Sequence, residues 1–179
     1  MFFFILILKI SINCAQAQTN ILITAPDHVN VGETFVTSFS IDQISDCSGF
    51  DLIITYQPKY IICATENKDG GFISDFQVAD NIDCQNGTIQ YANANLTPKN
   101  GNGTLFTTTW KALTDGIVNI RLKSALLSNS DAQPIEYIPP QEIKIVVGNP
   151  LNNNKFDMNE DGNINILDLI VLLQKITDF

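Results

Sequence analysis

The sequence predicts a mainly β protein, an antiparallel sandwich or jelly roll, carrying a short loop and helix at its C-terminal end. Three observations predict it. From Asn20 to about Val147, apolar and polar residues alternate in short runs, the period of half-buried strands. Turn-forming pairs such as Asn86-Gly87 and Asp115-Gly116 separate those runs. Near the C-terminus the period changes from two to three and four, the signature of an amphipathic helix.

The chain opens with "MFFFILILKI", an apolar run too short to span a bilayer comfortably as a helix. "SINCAQAQ" follows, and Ala15-Gln16-Ala17 fits the small-residue cleavage pattern of a secretory signal, so residues 1–17 read as a signal peptide. No positive residue precedes the apolar run, which leaves a retained anchor as the alternative. Cys14 raises lipidation, but "SIN" before it lacks the usual small-residue pattern. Removal at Ala17 leaves about 160 residues, enough for one domain with a proper core and a small appendage.

The strands follow in order. "NILITA" ends at Pro26. "GETFVTSFSID" places Phe35, Phe39 and Ile41 on one side. "GFDLIITYQP" closes at Pro58 and puts Phe50, Leu52, Ile54 and Tyr56 on one face. "YIICAT" precedes a polar stretch, "ENKDGG". "NGTIQYANA" starts at a turn, and "GTLFTTTWKA" puts Phe106 and Trp110 on one face. "GIVNIRLKSALL" and "EIKIVVG" complete the set. These aromatic faces read first as core. About eight short strands with turns between them make the sandwich, residues 18–147. No repeat period is present, so a solenoid or propeller is not expected.

"GNPLNNNK" supplies Gly148, Pro150 and three consecutive Asn residues, a short linker over residues 148–154. In the remaining segment, 155–179, "INILDLIVLLQKI" places Ile166, Leu169, Leu172, Leu173 and Ile176 on one stripe of a helix of about three turns.

The chain carries a net charge of −9 and has no Lys/Arg cluster, which argues against nucleic acid and anionic membrane surfaces. It suits calcium or neutral partners such as polysaccharide. After signal removal Cys47, Cys63 and Cys84 remain, an odd number without zinc-like spacing. Small buried hydrophobes and a disulfide both remain open for them. Asn86, Asn95 and Asn102 head N-x-T sequons, which imply exposed loops in a glycosylating host.

The segment just before the helix is "DMNEDGNINILD", Asp157–Asp168. Calcium takes six to eight oxygen ligands. A twelve-residue loop of the EF-hand kind supplies them from places 1, 3, 5, 7, 9 and 12, with Gly at place 6 for the sharp turn. Here the side-chain donors are Asp157, Asn159, Asp161 and Asp168. Asn163 stands where a backbone carbonyl ligates, and Asn165 ligates directly or through water. Gly162 fills the turn and Ile164 is an apolar anchor. Three carboxylates bring about −3 against +2 and repel one another without metal. The bland alternative is an Asx-rich loop that caps the helix. The last ligand is Asp, one methylene shorter than the usual Glu, so the helix must approach more closely.

"DMNEDGNINILDLIVLLQKI" resembles a type I dockerin repeat, a calcium loop ending in Asp with a Leu-rich helix directly after. Asp157, Asn159, Asp161, Gly162, Asn165, Asp168 and Leu169 carry the likeness over about 25 residues. A dockerin normally has two such repeats packed together, and this sequence shows one. By the resemblance Ile166 and Leu167, just before the last ligand, help choose the partner. One loop and helix bury too little apolar surface to stand alone. Either the repeat is a truncated dockerin, or a second copy in trans or the chain's own sandwich completes it.

The larger part is similar to a cohesin-like domain. "VNVGETFVTSFSI", "GFDLIITYQPKYI", "NGTIQYANA", "GNGTLFTTTWKALTDGIVNIRL" and "SALLSNSDAQPI" carry that likeness over about 125 residues, with Trp110 where Phe is common. The resemblance implies a nine-stranded jelly roll and a secreted, non-catalytic scaffolding module. It would dock cohesin- or dockerin-bearing proteins in a polysaccharide-degrading or cell-surface assembly. The alternative is a carbohydrate-binding module, for which Tyr91 and Tyr137 are candidate stacking residues, since fold does not fix function. An enzyme is not expected. No motif singles out a carboxylate pair, and His28, the single histidine, lies in the turn-like "APDHVN".

Overall fold

The structure is a computed structural model, in which residues 18–149, 158–159 and 165–177 are described. Among these, eight strands precede one helix: β1 Asn20–Thr24, β2 His28–Val29, β3 Thr34–Thr55, β4 Ile61–Asp69, β5 Phe76–Asp83, β6 Thr88–Ala112, β7 Gly116–Asn129, β8 Ile143–Val147 and α1 Ile166–Thr177. The mainly β sandwich and the terminal helix expected from the two periods are both present. Among the described residues, no helix is long and apolar enough to cross a membrane.

Two strands organise the rest. β3 has 22 residues and β6 has 25, several times the usual strand length of about 5–6. Each bends and serves both layers. Thr34–Ile41 pair with Gly103–Lys111, and this leg takes β1 on one side and β4 on the other. Gly49–Thr55 pair with Thr88–Ala94, and this leg takes β7 and β5. β7 also pairs with β8, and β8 holds β2 in parallel.

The corner lies between Ile41 and Gly49, where the ladder loses register repeatedly. Gln43 and Asp46 take φ of 58° and 57° there, a region L-residues seldom enter. Side chains from the facing strand hold them. Asn102 Oδ1 accepts the Gln43 N–H at 2.8 Å. Asn100 Oδ1 accepts the Asp46 N–H at 2.8 Å and the Ser45 hydroxyl at 3.2 Å.

The core lies between the two legs. Phe35, Phe39 and Ile41 face inward from the first leg of β3, and Phe50, Leu52, Ile54 and Tyr56 from the second, as the alternation predicts. Tyr91 and Phe106, both on β6, stack at 4.7 Å across the interior, and Phe106 stacks on Phe39 at 4.4 Å. Tyr56 meets Trp110 edge-on at 4.7 Å. The Trp110 indole N–H donates to Thr37 Oγ1 at 2.8 Å, which satisfies a buried donor and explains a threonine on the inward face.

Four local expectations change. The polar "ENKDGG" is not a loop throughout, because β4 runs to Asp69. Asn67 turns inward there, accepting a hydrogen bond from Thr108. The turn-like "APDHVN" contains β2, which exists only because β8 pairs with it. Residues 76–83 form β5, an edge strand too polar to read as one. The stretch between "NGTIQYANA" and "GTLFTTTWKA", read above as two strands, does not separate them. β6 runs through it and bends at Gly101, whose φ of 98° glycine tolerates.

Trp110→Ala removes the ring that joins both legs and should cost about 3–5 kcal/mol of unfolding free energy in a denaturant titration. Trp110→Phe keeps most of the packing but strands the Thr37 hydroxyl, and should cost about 1–3 kcal/mol.

Candidate functional site

The outward face of the second leg is the first candidate. Leu127, Leu52 and Tyr91 are buried, and strand alternation puts their neighbours Leu126, Asp51 and Ala92, with Ala79, on the opposite face, where Leu126 is exposed and Ala92 is covered. Register lines them up in one row: Leu126 opposite Asp51, Asp51 opposite Ala92, Ala92 opposite Ala79. Val78 sits in the irregularity beside Ala79 and is 68% exposed. Phe76, opposite Ala94, is 52% exposed, and Leu126 is 56% exposed. A shallow groove of about 270 Å³ runs across this row between Leu126 and Val78.

The centre of the face carries a fixed charge. Both oxygens of Asp51 accept from Gln90 Nε2, at 3.1 and 3.0 Å, so the carboxylate cannot swing away. Lys123, exposed beside Ile53, lies toward the other end of the face, where a second depression runs to Asp83 and Asn86. An apolar row with a clamped carboxylate at its middle suits a protein surface, which supplies apolar anchors and one donor. It suits a small substrate less, because nothing there is deeply enclosed. Period two placed Asp51 and Ile53 outward, so part of this face was readable. Phe76 and Val78 were missed with their strand.

The second candidate is the C-terminal loop. Of the six proposed metal ligands, Asn159, Asn165 and Asp168 are described, and the structure brings them together. Asp168, 3% exposed, accepts the Met158 and Asn159 N–H groups on Oδ1 at 2.8 and 3.3 Å, and the Asn165 N–H on Oδ2 at 2.6 Å. Asn165 in turn caps α1, its Oδ1 accepting the Leu167 N–H at 2.8 Å. The Asp168 carboxylate on the Asn165 N–H and the Asn165 amide oxygen on the Leu167 N–H together satisfy two donors at the start of α1, much as a capping box does. Asp157, Asp161 and Asn163, with Gly162 and Ile164, lie outside the described residues. The predicted stripe is real but uncovered: Ile166 is 71% exposed, Leu169, Leu173 and Ile176 are at least half exposed, Leu172 is 37% exposed, and Leu167 beside the stripe is 52% exposed.

Other sequence candidates resolve plainly. Tyr91 is a core residue and Tyr137 is half-buried against the core, its hydroxyl donating to Ala125 O at 3.4 Å, so no sugar platform forms from them. His28 Nε2 donates to the Gly148 carbonyl at 2.9 Å, and no described hydrogen bond joins it to a hydroxyl or carboxylate. The sequon at Asn95 is not in an exposed loop. Asn95 is buried, and its Oδ1 accepts the Ser74 and Asp75 N–H groups at 2.6 and 2.9 Å. Asn102 is exposed but spends its oxygen on the corner, and Asn86 is exposed in the β5–β6 turn. Cys47 and Cys63 are buried and Cys84 is exposed.

With the geometry in hand, comparison with known proteins identifies the fold. A type II cohesin domain from the cellulosome of Acetivibrio cellulolyticus superposes with a TM-score of 0.64 at 22% identity, over 72% of this chain and 95% of that one. A non-cellulosomal cohesin from the archaeon Archaeoglobus fulgidus gives 0.62 at 13% identity, over 73% and 91%. The sixth cohesin of Acetivibrio cellulolyticus scaffoldin B, solved in complex with a Cel5 dockerin, gives 0.64 at 12% identity, over 73% and 99%. The sandwich therefore has the cohesin-type jelly-roll fold. No family model and no curated protein sequence matches the chain.

Burial pushes the Cys47 thiol from 9.0 up to about 11 and the Tyr56 phenol from 10.0 up to about 12. Both groups are favoured neutral in the fold, so the unfolded chain ionises them first. Their contribution is intact below pH 9 and is lost as pH rises from 9 toward 12. Chemical denaturation across that window should show falling stability, and Cys47→Ala should flatten its lower part. At pH 8, an alkylating reagent followed by mass spectrometry should label Cys84 in the folded protein and Cys47 only after unfolding.

Proposed function

We propose that this is a secreted, non-catalytic docking module, which receives a dockerin-type partner on the face built by β7, β3, β6 and β5. The observation that carries the reading is the row Leu126–Asp51–Ala92–Val78 on a cohesin-type sandwich, with Leu126 and Val78 exposed toward its ends and the Asp51 carboxylate held by Gln90 between them. Cohesins of this fold in Acetivibrio cellulolyticus have been solved with dockerins bound. The setting is an extracellular or cell-surface assembly, of the kind that degrades polysaccharide.

The tail is read as a single dockerin-like repeat that binds calcium. Asp157, Asn159, Asp161, Asn165 and Asp168 would hold the ion through side chains and Asn163 through its carbonyl. The donor set fits a hard cation, and Asn159, Asn165 and Asp168 already stand together around one buried carboxylate. The uncovered stripe of α1, with Ile166 and Leu167 at its start, is the surface such a repeat offers to a partner.

Surface plasmon resonance of the full chain against a panel of calcium-loaded dockerin modules tests the face. Binding should be micromolar or tighter for at least one module, and Leu126→Arg should weaken it on the order of 100-fold with an unchanged melting temperature. Unaltered affinity in Leu126→Arg sinks the assignment of the face. Binding to cellulose or xylan with no dockerin bound replaces the reading with a carbohydrate-binding module.

Asp157→Ala and Asp168→Ala should each remove one calcium per chain in a calorimetric titration and lower the helical circular dichroism, while the sandwich stays folded. Equal calcium stoichiometry in parent and variants rules out the loop as the binding site.

A further inference from the structure

Two cysteines lie at the edge where β4 and β5 close the sandwich. Both strands pair with β6 on its side away from β3, β4 along one leg and β5 along the other. Because β6 folds back on itself, with Tyr91 stacked on Phe106, the two edge strands run in opposite directions in facing layers. Side chains join the layers stepwise, moving away from the bend. Asn93 Nδ2 of β6 donates to Asp69 Oδ2 of β4 at 2.7 Å. Farther out, Asn67 Nδ2 of β4 donates to Asp80 Oδ1 of β5 at 2.5 Å. Continued in that direction, β4 reaches Cys63, opposite Trp110, and β5 passes Asp83, opposite Thr88, to Cys84.

Tyr56 brings the two positions together. Its ring packs edge-on against Trp110, the partner of Cys63, and its backbone N–H donates to the Gly87 carbonyl at 2.9 Å, in the turn that begins at Cys84. That turn is fixed in place. A Cβ on Gly87 would collide with the Tyr56 carbonyl, and Asp83 Oδ1 accepts the Gln85 and Asn86 N–H groups at 3.1 and 3.0 Å, folding the chain around Cys84. The Tyr56 phenol registers both thiols. Burial is the largest cause of its rise to about 12, charge on Cys84 and then on Cys63 adds to it, and the Cys63 N–H opposes it. Strand parity agrees: Asp80, Ile82 and Cys84 lie on one side of β5, and from that side Asp80 reaches Asn67 and Ile82 packs on the core. Cys63 is buried and Cys84 exposed, so one sulfur lies inside the edge and the other at its mouth. Cys47 is remote from both, paired with Lys99 and Asn129 at the corner.

We propose that Cys63 and Cys84 form a disulfide that ties β4 to β5 and closes this edge of the sandwich. A disulfide asks for Cα atoms about 4.4–6.8 Å apart, within the reach of two short side chains. The Asn67–Asp80 hydrogen bond, also made by two short side chains, holds the same two strands together nearby. The chemistry is thiol–disulfide exchange. The exposed Cys84 thiolate attacks the disulfide of an oxidant, forms a mixed disulfide and releases one thiol. The Cys63 thiolate then attacks Cys84 Sγ, forms the S–S bond and releases the second thiol. Two protons and two electrons leave the chain, and the oxidant, a protein disulfide or glutathione disulfide, takes them up. An exported compartment supplies such oxidants, so formation in the host rests on the secretion proposed above. The bridge uses two of the three cysteines and leaves Cys47, whose buried thiol stays protonated. Closing the loop from Cys63 to Cys84 restricts the unfolded chain and so stabilises the fold.

The test takes the purified full chain, reduces it, and then oxidises it with glutathione disulfide. Trypsin separates the three cysteines, because Lys59, Lys68 and Lys99 lie between and after them. Mass spectrometry without reduction should find peptide 60–68 joined to peptide 69–99, lighter by two hydrogens than the pair, with Cys47 alkylated only after unfolding. Cys84 alkylates in the reduced, folded chain and should be protected in the oxidised one. The oxidised chain should melt on the order of 5–10 °C above the reduced chain. Cys84→Ser, at an exposed position, should remove that difference and leave the melting temperature of the reduced chain nearly unchanged. A link through Cys47, a chain-to-chain dimer through Cys84, or a glutathione adduct that persists on Cys84 while Cys63 stays a thiol overturns the proposal. An oxidised chain that melts no higher than the reduced one overturns it too. Oxidation follows purification, so failure here counts against the pairing and not against secretion, which the presence of the chain in the host medium reads separately.

Discussion

The shared bend of β3 and β6 is the constraint on which the rest of the molecule depends. Because the two strands pair along both legs, one corner decides where both layers lie. That corner asks Gln43 and Asp46 to enter backbone space that costs free energy, and Asn100 and Asn102 reach across to hold them. Once the legs are folded over one another, Tyr91 meets Phe106 and Tyr56 meets Trp110, rings far apart in sequence. The aromatic core is a consequence of the corner, and the corner is stabilised by the core.

The outward face inherits its shape from the same bend. Only the second leg takes β7 and β5 as neighbours, so only there do Leu126, Asp51, Ala92 and Val78 come into line. The irregularity beside Val78 pushes that side chain clear of the sheet, and the Gln90 clamp keeps Asp51 from folding into solvent. Affinity at such a surface depends on a few central anchors rather than on area. A fold shared with cohesins at 12–22% identity places the sheets, and the identities of these outward side chains set what the surface can hold.

The C-terminal loop shows how one set of atoms serves two readings. Asn165 and Asp168 cap the start of α1, and the Asp168 carboxylate gathers the beginning of the loop through Met158 and Asn159. What the described residues show is Asp168 turned back toward the loop, both of its oxygens held by backbone N–H groups. The exposed stripe of α1 is the opposite case, apolar residues that the sequence arranged for burial and that lie open in the single chain.

Much of this was legible in the chain itself. Period two assigned Phe50, Leu52, Ile54 and Tyr56 to one buried face, and steps of three and four placed the stripe of α1, because those patterns follow from local backbone geometry. The oxygen-rich loop was likewise local, its spacing readable residue by residue. Tertiary structure alone decided the rest. β2 and β5 are strands because distant partners pair with them, Asn95 is buried because residues 72–75 fold over it, and Tyr91 is core because the chain bends between it and Phe106. Local propensity reports the period of a strand, but which strands become neighbours is settled by long-range packing.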